Sequence, residues 1–188
     1  PVAWLPNGSQ AANKLINQEI YDIRDIPADA LSSETQLRVR RVTIAGKAEC
    51  LPGAKVILDK LPYPRFYLDF ECIQFAIPIW KGTKPYQQLP FQWSCHIQPD
   101  GGPLQHEEFL DISGNDPRRG FAESVVRACG ESGAIVVYNQ SFEKRIIKEL
   151  AEMFPDLSRE LLVLNGRVFD LLPVVKNHYY HPDIKRRR

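Results

Sequence analysis

Three acids and an amide stand in patterns that suit phosphoryl chemistry. Asp69 and Glu71 belong to the run R-F-Y-L-D-F-E from Arg65 to Glu71, in which Phe66, Leu68 and Phe70 alternate with Tyr67, Asp69 and Glu71. Period-two alternation of this kind marks a half-buried β-strand, so the two carboxylates share a face, roughly 6.5 to 7 Å apart along the strand. Such a pair repels itself unless a cation lies between, and hard divalent ions such as Mg²⁺ or Mn²⁺ take oxygen ligands of this type. A lone D-x-E is also what a solvated strand end carries.

The second informative stretch is Tyr138-Asn139-Gln140-Ser141-Phe142-Glu143. It falls where a buried β-branched run, Ala134 to Tyr138, gives way to a helix carrying Ile146, Ile147, Leu150, Met153 and Phe154. Glu143 lies four residues before Ile147 and seven before Leu150, so the spacing aims it along the core-facing stripe rather than toward water. The helix N-terminal dipole alone accounts for an acid there. The other reading is a metal ligand projecting toward Asp69 and Glu71, which the position at the end of a buried strand favours. Asn139, at the same strand end, holds substrate or fixes the loop.

Between the two stretches runs a long connection, Cys72 to Pro90, rich in Pro, Gly and aromatics. Connections of this length in a compact domain are usually functional. Trp80 and Tyr86 beside Lys81 and Lys84 suit a stacking surface with phosphate-reaching cations, the way single-stranded nucleic acid is held. Equally, these aromatics suit a cap over the edge of the core.

The elements that must position these residues follow from the pattern of apolar side chains. Phe91, Trp93, Cys95 and Ile97 alternate with polar neighbours as a second strand, and Gly101-Gly102 turns the chain into a third, Leu104 to Leu110. Asn115 or Asp116 before Pro117 opens a helix with Phe121, Val125, Val126 and Cys129 on its buried stripe, which Gly133 ends. The order strand, strand, strand, helix, strand gives an antiparallel meander extended by a parallel crossover, an α/β mixed sheet flanked by helices.

Residues 1–62 read as a helical arm or linker, with a capping box at Ser33 and Gln36, a helix continuing to Gly46, and a shorter helix from Ala54 to Leu61 closed by Pro62 and Pro64. Arg38, Arg40 and Arg41 suit either a solvated helix face or phosphate contacts. With 188 residues, 44% hydrophobic content and a net charge of +1, the chain supports one substantial core and no global field for nucleic acid. The four cysteines form no C-x-x-C pair, which argues against a zinc site or a disulfide scaffold and for reduced, buried side chains. No run of about 18 apolar residues and no secretory pattern is present, so a cytoplasmic protein with no membrane segment is expected. The ends of the sequence suggest a piece of something longer.

The strand-borne D-x-E (Asp69, Glu71) followed by N-x-x-F-E (Asn139, Phe142, Glu143) resembles the first two motifs of the DEDD, or DnaQ-like, 3′-5′ exonucleases of the ribonuclease H-like fold. More narrowly, L-D-F-E, then K-P-Y-Q-Q-L-P-F-Q-W-S, then V-V-Y-N-Q-S-F-E-K is similar to a poorly characterised bacterial family in which the domain often follows a RecB-like or Cas4-like nuclease module. The likeness covers roughly residues 63–180. It implies a ribonuclease H-like nuclease domain over residues 63–188, truncated before the third motif. It also implies a two-metal Mg²⁺ or Mn²⁺ site on Asp69, Glu71 and Glu143, with Asp170 supporting, and a DNA or RNA end as substrate. Trp80, Lys81, Lys84 and Tyr86 would be the substrate contacts.

Two departures bear on activity. Most DEDD enzymes carry Asp where this chain has Glu143, and the third motif, a His or Tyr about five residues before an Asp, is not found. His178 and His181 do not fit that pattern and are expected at the surface. The alternative to an exonuclease is therefore a catalytically weak nucleic-acid-binding or structural domain of a larger nuclease.

Overall fold

A computed structural model describes residues 1–6 and 8–184. In chain order its elements are α1 (Ser9–Ile16), α2 (Glu34–Ala45), β1 (Glu49–Cys50), α3 (Pro52–Leu58), β2 (Arg65–Ile73), β3 (Leu89–Gln98), β4 (Gln105–Leu110), α4 (Arg118–Cys129), β5 (Ala134–Val137), α5 (Ser141–Met153), α6 (Ser158–Gly166), β6 (Val168–Asp170), α7 (Leu171–His178) and β7 (Tyr179–Tyr180). They form two compact units, Lys60–Leu172, and Pro1–Asp59 with the chain from Pro173 on. No helix among the described residues is long and apolar enough to cross a membrane.

The larger unit holds a five-stranded sheet in the order β4-β3-β2-β5-β6. β2, β3 and β4 pair antiparallel as a meander, and β2, β5 and β6 pair parallel. This is the expected mixed α/β sheet of ribonuclease H-like type. Alternation explains its core: Phe66, Leu68 and Phe70 from β2 meet Trp93, Cys95 and Ile97 from β3, and Phe121, Val125 and Cys129 from α4 cover them. Each large side chain so buried contributes about 1.5–3 kcal/mol. Phe70 and Phe121 pack edge to face with centroids 4.9 Å apart. The Trp93 indole donates to Ser124 Oγ at 2.9 Å, so its polar atom is satisfied inside the core.

β5 is buried on both faces, as its unbroken run Ala134-Ile135-Val136-Val137 predicts. Its entry is tight. A Cβ on Gly133, where φ is +89°, would stand 2.1 Å from the Pro64 carbonyl oxygen. The glycine that ends α4, however, is Gly130, whose N–H bonds the Val126 carbonyl, and not Gly133. Arg167, which the sequence does not single out, donates to the carbonyls of Cys129 and Gly133 at 2.9 Å each, and also to those of Gly130 and Ser132. It thereby staples the turn between α4 and β5.

In the smaller unit, Val2, Leu5, Leu15, Ile23, Ile26 and Val39 form a separate core, and β1 pairs antiparallel with β7. Gly46 ends α2 in the left-handed conformation, as expected. Ser33 precedes α2 without capping it through its side chain, and the buried Gln36 amide donates to the Pro6 carbonyl at 3.0 Å rather than completing a capping box. The three arginines of α2 find partners in the same unit, with Arg38 buried, Arg40 half-buried and Arg41 exposed. Arg38 is 4% exposed with its Nε 3.6 Å from Glu49, Arg41 makes two 2.8 Å bonds to the Glu49 carboxylate, and Arg40 donates to the Ile26 carbonyl. A solvated face therefore describes Arg41 alone, and all three guanidinium groups already have partners. His178 likewise packs inward: an added Cβ on Gly53 would lie 2.6 Å from its ring, and its Nδ1 is buried. Cys95 and Cys129 are buried fillers, whereas Cys50 is exposed; all four cysteines are free thiols.

Candidate metal centre

β2 outruns its parallel neighbour. The two strands pair from Arg65↔Ala134 to Tyr67↔Val136, after which β5 ends and β2 continues to Ile73. Asp69 and Glu71 therefore project from the free portion of β2, opposite Ser94 and Gln92 of β3. Both are exposed, and among the described residues neither forms an ion pair.

At the end of β5 the chain turns sharply. Asn139 takes the left-handed conformation (φ +70°), which asparagine tolerates better than most residues. Its N–H donates to Asp170 Oδ1 at 3.0 Å, and its own Oδ1 accepts from the Ser141 hydroxyl at 3.1 Å. Asp170, paired across from Val137 at the end of β6, also accepts from the Leu172 N–H at 2.9 Å. One carboxylate oxygen thus fixes both the β5–α5 turn and the start of α7. Asp170 and Asn139 are tied to each other and to this turn.

Glu143 is the third residue of α5, on the stripe continued by Ile146, Ile147 and Leu150, and it is 3% exposed. Its Oε2 is buried and has no hydrogen-bond partner. Burial raises its pKa, its own backbone N–H opposes that, and the nearby negative charges of Asp69 and Asp170 raise it further. The same electrostatics reach Cys72 on β2. Its thiol is pushed up to about 12, first by burial and then by Glu149, Glu71 and Glu143, with Arg145 acting in the opposite sense. The sheet end thus gathers several acids around one buried carboxylate, with Arg145 as a nearby cation. Among the described residues no three His, Cys, Asp or Glu side chains are clustered tightly enough to hold a metal ion. Glu143 senses Asp69 and Asp170 without a hydrogen bond to either.

Carboxylate oxygens are the donor type that Mg²⁺ or Mn²⁺ takes, but among the described residues Asp69, Glu71 and Glu143 are not gathered into a metal-binding cluster. The loop from Gln74 to Gln88 leaves the sheet two residues beyond Glu71. In it Trp80 is half-buried, while Lys81, Lys84 and Tyr86 are exposed. A feature the sequence reading passed over lies on the same sheet face as Asp69. Ser94 bonds His106 Nε2 at 3.0 Å, and His106 stacks on His96 with centroids 4.6 Å apart. The polar half of the β3 alternation, Gln92-Ser94-His96, was the available signal.

A family model described as "Domain of unknown function (DUF2779)" matches residues 66–187. The chain belongs to this family. The DUF2779 match opens at Phe66 within β2 and takes in Asp69, Glu71, the loop with Tyr86, Asn139, Glu143 and Asp170. No curated protein and no solved structure matches significantly.

Proposed function

We propose that this chain is a divalent-metal-dependent nuclease domain, a 3′-5′ exonuclease of the DEDD type that hydrolyses phosphodiester bonds of DNA or RNA. The observation that carries the reading is Glu143: an almost fully buried carboxylate with an unpaired oxygen, facing the negative charge of Asp69 and Asp170. Burying an uncompensated carboxylate is costly, and a fold retains one where a cation relieves it. Four free cysteines fit a reducing, cytoplasmic setting.

Asp69, Glu71 and Glu143 would hold Mg²⁺ or Mn²⁺. When bound, these ions supply an activated water and neutralise the leaving oxygen. The rest is the work of the chain itself. Exposed Asp69 and Glu71 face the solvent side from which a phosphate arrives, and buried Glu143 holds its charge in a low-dielectric setting where it attracts cations strongly. Asp170, through Asn139, fixes the turn that aims α5. Glu143 is one methylene longer than the aspartate usual at the second motif, which favours a second reading, a domain that binds nucleic acid and cuts weakly.

Incubating the full-length protein with a labelled single-stranded oligonucleotide and Mn²⁺ tests both. Mn²⁺-dependent shortening that falls at least about 100-fold in Asp69→Asn and Glu143→Gln is expected. Oligonucleotide that stays intact, although bound, leaves only the second reading.

A further inference from the structure

The loop from Gln74 to Gln88 contains two lysines and no acid. It is built rather than slack. The Tyr86 N–H reaches across to the Phe75 carbonyl at 2.8 Å, the Lys84 N–H donates to Gln87 Oε1 at 3.0 Å, and the Trp80 indole donates to the Gly114 carbonyl at 3.1 Å. Trp80 also meets Phe75 edge to face, centroids 5.4 Å apart. At the far foot Gln88 bonds Arg145, on the helix that carries Glu143. In this frame the two aromatics differ. Trp80 is spent on holding the loop together. Tyr86 is held in the left-handed conformation (φ +57°), and the residue is 68% exposed. A tyrosine rarely accepts that backbone, and residues kept there by a surrounding hydrogen-bonded frame concentrate at binding sites.

We propose that Tyr86 is a stacking platform for one base of a single-stranded nucleic acid, with Lys81 and Lys84 on the adjoining phosphates. This rests on the nuclease reading and adds to it a sequence-indifferent subsite that guides the strand toward Asp69 and Glu71. An exposed aromatic residue with two exposed lysines in the same loop and no acid there is complementary to a ligand of alternating flat faces and negative charges. Every base offers a π-face, so the platform discriminates little between bases. The exposed Ile77 and Ile79 of the same loop add apolar surface and no hydrogen-bond readout.

The test is fluorescence anisotropy with labelled oligothymidine and oligodeoxyadenosine of about 12 nucleotides, using full-length protein in EDTA so that nothing is cut. Tyr86→Asn is the decisive variant, because asparagine tolerates the left-handed backbone while removing the ring. It is expected to weaken binding by about 5- to 150-fold for both oligonucleotides, whereas Tyr86→Trp keeps the affinity. Lys81→Ala with Lys84→Ala should flatten the log–log salt dependence by about 1.4. Affinity within about two-fold of wild type in Tyr86→Asn overturns the proposal. Asp69-dependent cleavage is scored separately in Mn²⁺. Cleavage with an indifferent Tyr86 sinks this subsite alone, and a Tyr86-dependent affinity without cleavage sinks the nuclease reading alone.

Discussion

Arg38 and Glu143 are sealed from water to nearly the same degree, 4% and 3% exposed, and meet opposite fates. Arg38 also has one atom without a hydrogen bond, Nε, but that atom faces the Glu49 carboxylate at 3.6 Å, and the guanidinium donates to the Lys176 carbonyl at 3.4 Å within its own unit. Glu143, in the other unit, finds no cation among the described residues and keeps one oxygen unpartnered. A buried charge answered inside the fold is a structural pin. A buried charge left unanswered weakens the fold.

The largest effect expected from this contrast is at the pinned end. Glu49→Ala strands the buried Arg38 guanidinium and frees Arg41, and should cost about 2–3 kcal/mol, the partial exposure of Glu49 keeping it below a fully buried pair. A lower urea midpoint measures it. At the unanswered end the sign reverses. Glu143→Gln removes a charge that burial disfavours, so in EDTA it should gain about 1 kcal/mol and raise the melting midpoint by about 2–4 °C. Mn²⁺ should then raise the wild-type midpoint above that of the variant. A variant that melts lower in EDTA would place Glu143 in the same class as Arg38.

The smallest effect is in acid. Glu49 is held below its ordinary pKa of 4.5, chiefly by the hydrogen bond from Arg41, with the charges of Arg41 and Arg38 adding. Its folded pKa is depressed, so its contribution is complete above pH 4.5 and is lost as pH falls through the folded value. The stability gap between wild type and Glu49→Gln should therefore be constant at neutral pH and close below about 4.5. As one of 23 carboxylates, it moves the acid midpoint only slightly.

What was legible in the sequence was whatever local period dictates. The alternation of β2 placed Asp69 and Glu71 on one face because a half-buried antiparallel strand has no other way to seat Phe66, Leu68 and Phe70. The 3.6-residue stripe of α5 likewise told that Glu143 points inward. Fates decided by distant partners were not legible. Gln36 gave up its capping role to a carbonyl 30 residues away, and the arginines of α2 were claimed by Glu49 and Ile26. Gly133 looked like a helix breaker because glycine is also what a close backbone approach demands, and the neighbour it serves, Pro64, lies far off in the chain. Trp80 and Tyr86 are alike on paper, and only tertiary bonds separate the strut from the exposed ring.

The ladder between β2 and β3 slips by one residue just after Glu71: Glu71 sits opposite Gln92, but Cys72 sits opposite Pro90, leaving Phe91 extra. Upstream of the slip, the unbroken pairing from Arg65↔Gln98 onward locks the bearing of both acids. Downstream, the chain leaves the sheet with its roll reset. The irregularity works as a swivel joint. Insertions or deletions in the Gln74–Gln88 loop can be absorbed there while the aim of Asp69 and Glu71 stays unchanged.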